Sequence, residues 1–190
     1  MSKLPIVRVK LTQTLRPRVA RNFATSRAQR AKNQIYDPVR RPDDLNTYQR
    51  LASSSRIPLL TLWTTSWCAT CRVVSPLLRR LVAEEGVGED EGGVAFCTVE
   101  YDAPDMMTSG SGAGGLGMTY AITTVPTLIS FDAGGAPAVG SRVTDGRRLA
   151  DRAFLEEWIR EEARRGNGGG SGGGGSGGNS GIGGLIRGWR

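Results

Sequence analysis

Apolar positions along the chain follow two different rhythms. Residues 57–63 (Ile-Pro-Leu-Leu-Thr-Leu-Trp) form a short, β-favouring run that predicts a strand buried on both faces. Past Cys68 the spacing changes. Val73, Val74, Leu77, Leu78, Leu81 and Val82 recur three or four apart, with Arg72, Arg79 and Arg80 between them, which predicts an amphipathic helix kinked at Pro76. Residues 94–101 and 127–131 read as two further strands, and the turn chemistry of Asp132-Ala133-Gly134-Gly135 carries the second into a hairpin with 138–143. A helix opens at Pro42-Asp43-Asp44-Leu45 and runs to about Ser53, and residues 103–107 read as a turn and short helix. Leu149, Ala153, Phe154, Trp158 and Ile159 mark a closing helix over 149–165. Alternating strands and helices in this order imply an α/β sandwich around a mixed sheet.

The two ends do not share these rhythms. Residues 1–36 hold nine basic side chains and no acidic one, the composition of an organelle transit peptide. Leu4, Val7, Leu11, Leu15 and Val19 give it a basic amphipathic helix, and cleavage is expected near Phe23 or Ala24. A disordered basic arm for RNA or acidic lipid is the competing reading, and the absence of acid over 36 positions favours import. Residues 166–184 are nearly all Gly and Ser, a flexible tether that ends in the apolar, basic segment 182–190. The segment 182–190 is either disordered or a docking tail. The folded domain is therefore expected over 37–165.

Composition narrows the chemistry. The 190 residues leave room for one domain, and the formal charge of +7 is concentrated in the leader, the rest carrying 16 basic against 18 acidic groups. A body without basic excess does not suit nucleic acid. There is no histidine, which excludes Ser-His-Asp and Cys-His hydrolases and His-ligated zinc. No apolar run approaches the ~18 residues of a membrane span.

The strongest chemical signal is Trp67-Cys68-Ala69-Thr70-Cys71, two cysteines three apart, placed after a strand and at the first turn of a helix. Unpaired backbone N–H groups at a helix N-terminus stabilise a thiolate, so Cys68 is the candidate nucleophile. Cys71, one turn on, is placed to attack a mixed disulfide formed on Cys68. A static disulfide or half a metal site competes with this reading. A metal would need more ligands than Cys97, the one other thiol, supplies, and Cys97 reads as a buried strand residue.

Over residues 43–165 the chain resembles the thioredoxin family. The resemblance rests on Trp67-Cys68-x-x-Cys71 after the strand, on Pro76 five residues beyond the second cysteine, on the run from Tyr120 through Val125-Pro126-Thr127, and on the Gly134-Gly135 hairpin before the last helix. It implies a thioredoxin-like three-layer α/β/α sandwich with a central mixed sheet. It also implies a cis Pro126 packed beside the cysteines, with Val125 offering strand-like hydrogen bonds to a substrate chain and Trp67 helping to bind it.

The resemblance further implies a thiol-disulfide oxidoreductase acting on protein disulfides or thiols, served by a thioredoxin reductase and needing no cofactor or metal. With the leader, this places the protein in mitochondria, in the matrix. The chain departs from the family at several positions. Ala69-Thr70 stands where Gly-Pro is usual, Leu62 where a buried aspartate assists the resolving thiol, and Thr144 where a glycine borders the groove. The Gly-rich stretch 109–117 reads as a loop that lengthens the approach to Tyr120, without the preceding strand a dinucleotide site needs. The alternative is a non-catalytic thioredoxin-fold interaction module.

Overall fold

The computed structural model of the chain describes residues 32–108, 115–134 and 139–168. The leader up to residue 31, residues 109–114 of the Gly-rich stretch and the tail from 169 lie outside the described residues.

Five strands form one mixed sheet in the order β1-β3-β2-β4-β5: β1 (Gln34–Ile35), β2 (Leu59–Thr64), β3 (Ala95–Glu100), β4 (Thr127–Phe131) and β5 (Val139–Val143). β2 lies parallel to β3, from Leu59 opposite Ala95 to Thr64 opposite Glu100, and antiparallel to β4, from Leu59 opposite Phe131 to Trp63 opposite Thr127. β4 pairs antiparallel with β5, Leu128 opposite Val143 and Phe131 opposite Val139, and residues 135–138 of the expected hairpin lie outside the described residues.

Side chains that alternate along each strand feed two separate cores, which makes the molecule three layers thick. On one face Leu60, Leu62, Phe96 and Leu128 pack with Val74, Leu78, Leu155 and Ile159 from helices α2 (Ala69–Arg79) and α6 (Arg152–Gly168). On the other, Leu59, Trp63, Cys97, Val99 and Phe131 pack with Leu45 and Ala52 from α1 (Pro42–Ser55) and Met106 from α3 (Pro104–Thr108). The α/β/α sandwich expected from the sequence is the observed architecture.

Local chemistry sets most of the boundaries. Pro42 opens α1 where its missing N–H would be unpaired anyway, and Asp43 and Asp44 face the positive end of the dipole. α2 runs through Pro76 and widens into a π-helical turn, Arg80–Glu84.

Four differences from the sequence expectations have identifiable causes. Residues 32–36, assigned to the leader, belong to the domain. Gln34–Ile35 pair with Ala95 and Phe96, and the Asn33 side chain donates to the carbonyls of Val82 and Val87 and accepts Val94 N–H, each at 2.9 Å. The closing helix is two helices: α5 (Gly146–Ala150) and α6. Asp151, extended at ψ 114°, ends one and caps the other, its carboxylate accepting Ala153 N–H at 2.9 Å. α6 runs on to Gly168, three residues past the expected domain end at 165. The Gly-rich stretch is not loop to its end either, because Gly115–Thr119 form helix α4. Gly117 lies so close to Tyr101 that any Cβ would collide with the phenol ring. Among the described residues no helix is long and apolar enough to cross a membrane.

Candidate active site

The cysteine pair sits where the C-terminal end of β2 meets the N-terminus of α2. Cys68 is the N-cap of α2, in extended conformation, and its Sγ accepts the Cys71 N–H at 3.1 Å. A sulfur thus occupies the cap position usually filled by a hydroxyl or carboxylate oxygen. Cys68 and Cys71 are joined in a disulfide with their Cα atoms 5.3 Å apart. Cys68 retains 6% of its surface and Cys71 3%, whereas the adjacent Trp67 is 70% exposed.

Two contacts that the sequence reading missed hold the loop before the pair. The Asp102 carboxylate, just past β3, accepts the Ser66 N–H at 2.8 Å and the Ser66 hydroxyl at 2.6 Å. That hydroxyl bond, with the backbone N–H bond of the same residue, holds the Asp102 carboxyl below the usual carboxylate range. Arg72 Nη2 reaches the Ser66 carbonyl at 3.4 Å. Neither Ser66 nor Asp102 belongs to a recognisable pattern, since their partnership depends on two strand ends being neighbours.

The Val125-Pro126 peptide is cis. Pro126 is buried and Val125 half-buried, and both precede Thr127, which pairs with Trp63 at the end of β2. Trp67, Cys68, Cys71, Val125 and Pro126 thus all lie at this one end of the sheet. α5 joins them there: a Cβ on Gly146 would lie 3.4 Å from Thr70 Cγ2.

Cys97 stands apart. It points into the core on the α1 side of the sheet and is 1% exposed, and burial pushes its thiol far above the ordinary range. Among the described residues no three cysteine, aspartate or glutamate side chains are grouped to hold a metal ion. Leu62 lies fully buried in the α2-side core, so that position of β2 carries no titratable group. Beside Cys71 a groove of about 560 Å³ opens between α2 and β3, lined among others by Thr65, Ser75, Arg79 and Thr98.

No family model matches the chain. Among curated proteins it is similar to the "Probable thioredoxin-2" of Caenorhabditis elegans, at 28% identity over 115 residues, 60% of this chain and 68% of that protein. Among solved structures it is similar to thioredoxin NaTrxh from Nicotiana alata, with a TM-score of 0.50 and 13% identity over 71% of this chain and 97% of the other. The Fasciola hepatica thioredoxin gives a TM-score of 0.49 at 18% identity, over 67% and 99%. The Nicotiana structure bears on the fold alone. With a thioredoxin-like sandwich, a relative described as a probable thioredoxin and paired cysteines capping α2, the chain is similar to thioredoxins, and its cysteine pair supports a thiol-disulfide oxidoreductase.

Proposed function

We propose that the protein exchanges disulfides with protein substrates, with Cys68 as attacking thiol and Cys71 as resolving thiol. In the reducing direction the Cys68 thiolate attacks a substrate disulfide, releasing one substrate sulfur as a thiol. The Cys71 thiolate then attacks Cys68, the Cys68–Cys71 bond forms and the second substrate thiol leaves. Two electrons pass from the pair to the substrate, and an external dithiol, such as that of a thioredoxin reductase, restores the pair.

The observation that carries this reading is the Cys71 N–H directed at Cys68 Sγ across 3.1 Å at the start of α2. An N–H donor and the positive end of a helix dipole both favour the anionic sulfur that attacks. Trp67, exposed beside the pair, and the Val125-Pro126 edge, just outside the ladder of β4, form the substrate surface in this proposal. Val125 supplies main-chain hydrogen bonds to an extended substrate segment.

Residues 1–31 act as a mitochondrial import leader, the matrix being the destination. The acid-free, Arg-rich composition supports this. Close behind, Asn33 is anchored in the domain through the Val94 N–H.

The test is reduction of a protein disulfide with dithiothreitol or a thioredoxin reductase as donor, together with capture of substrates by Cys71→Ser from isolated mitochondria. Acceleration by the wild type and mixed disulfides on Cys68 are expected. Absence of both would leave an interaction module whose partners are indifferent to Cys68→Ser.

A further inference from the structure

Three hydroxyl residues in succession close the end of β2 beside the disulfide, and their hydroxyls differ in what they bind. Thr64 Oγ1 donates to the Val99 carbonyl at 3.3 Å, and Ser66 Oγ donates to Asp102 at 2.6 Å. Between them Thr65 is only 8% exposed, and its Oγ1 is buried with no hydrogen-bond partner among the described residues. A buried unpaired hydroxyl in a native fold calls for an explanation, and a role in another chemical state is one. The main chain of Thr65 is already tied to the pair, its carbonyl accepting the Cys68 N–H at 3.2 Å. Thr65 and Cys71 line the same groove.

We propose that Thr65 is a positioning residue for the resolving step, its hydroxyl donating to the Cys71 sulfur whenever that sulfur is out of the disulfide. The proposal rests on the reading of Cys71 as resolving thiol. In that step the Cys71 thiolate attacks Cys68, the Cys68–Cys71 bond forms, and the bond from Cys68 to the substrate sulfur breaks. The substrate leaves as a thiolate that takes a proton from solvent, and the Cys71 proton has already gone to solvent. A donor aimed at the thiolate favours the charged form, so it enlarges the attacking fraction at neutral pH. Leu62 and its neighbours Leu60, Val74 and Leu78 supply no such donor.

The charged groups lining the groove are Arg72 and Arg79 from α2, Glu100 at the end of β3, and Asp102. Glu100 is held by Arg40 at 2.9 Å and Asp102 by Ser66. Both carboxylates are thus already engaged, and among the described residues the Thr65 hydroxyl is not.

The test uses the reduced full-length protein and excess bis(nitrobenzoate) disulfide, timing the two released aromatic thiolates separately. The first release reports attack by Cys68, the second resolution by Cys71. Thr65→Val is expected to slow the second release relative to the first roughly tenfold at neutral pH. Its pH profile should move upward and rejoin the wild type under alkaline conditions, and Thr65→Ser should restore the wild-type profile.

Equal second phases in wild type and Thr65→Val at every pH would overturn the proposal. So would a slowing that persists at alkaline pH or that serine does not relieve, which marks a packing fault. Thr65→Ala is read by the same criteria should the valine variant not fold. A wild type without any first release would instead overturn the assignment of Cys68 itself, and this proposal with it.

Discussion

The Arg142 guanidinium, on β5, holds the Tyr120 carbonyl at 2.5 Å and the Ala121 carbonyl at 3.1 Å. It thereby fixes the turn from which the chain runs on to Val125 and Pro126. Ala121 has φ +48°, a left-handed conformation that a residue with a Cβ adopts only when its surroundings enforce it. The Tyr120 ring adds a second anchor, packed between Trp63 and Phe131 with its hydroxyl accepting from Gln49 Nε2 at 3.2 Å.

Arg142→Ala is therefore expected to loosen the proposed substrate edge without touching the cysteines. KM for a protein disulfide should rise several-fold, on the scale of one or two hydrogen bonds to a charged group. The first release from a small aromatic disulfide should change by less than twofold. Lysine at 142 should recover only part of the loss, because one ammonium does not reproduce the two-pronged guanidinium contact. Steady-state kinetics with the two substrate types checks this.

Gly117→Ala tests the approach of α4 to Tyr101. A methyl group there has no room without displacing the ring, which itself packs edge-on against Trp63 at 6.2 Å. The expected loss of stability is about 1–3 kcal/mol, read from denaturant unfolding. Tyr101→Phe, which removes the phenolic oxygen nearest that Cβ, should lessen the penalty in the double variant.

Cys97 predicts a pH dependence on the alkaline side. Its folded pKa is raised, so above the ordinary thiol range the unfolded chain releases a proton that the native state retains. Stability should fall as pH rises through that range, and Cys97→Ala should flatten this slope. In the reduced native protein an alkylating reagent at slightly acidic pH should label Cys68 quickly and Cys97 only after denaturation.

Asp102 predicts the opposite dependence at acid pH. Its folded pKa is depressed, so its contribution is present above the unfolded carboxylate pKa and is lost as pH falls through the folded value. Asp102→Asn should lower stability at neutral pH slightly and remove that portion of the acid-side decline. Thermal unfolding of the two proteins between neutral and strongly acidic pH measures the difference.

Short-range information in the sequence determined the strands around Leu60, Cys97 and Ile129, the helices behind Pro42 and Cys68, and the pairing of Cys68 with Cys71. Each of these is written in the spacing of apolar side chains or in residues within one helical turn. Only the tertiary structure decided the rest. Two polar neighbours, Asn33 and Gln34, join the domain because β3 offers Gln34 a strand to pair with and the backbone of Val82, Val87 and Val94 offers Asn33 its hydrogen bonds. Asp151 divides an otherwise continuous periodic stretch because its carboxylate finds free N–H groups to cap. Ser66 meets Asp102 across 36 residues, Arg142 meets Tyr120 across 22, and Thr65 is left with its hydroxyl buried and unpaired among the described residues. Such partnerships depend on which strand ends become neighbours when two cores close on opposite faces of one sheet, and no local pattern of residues encodes that.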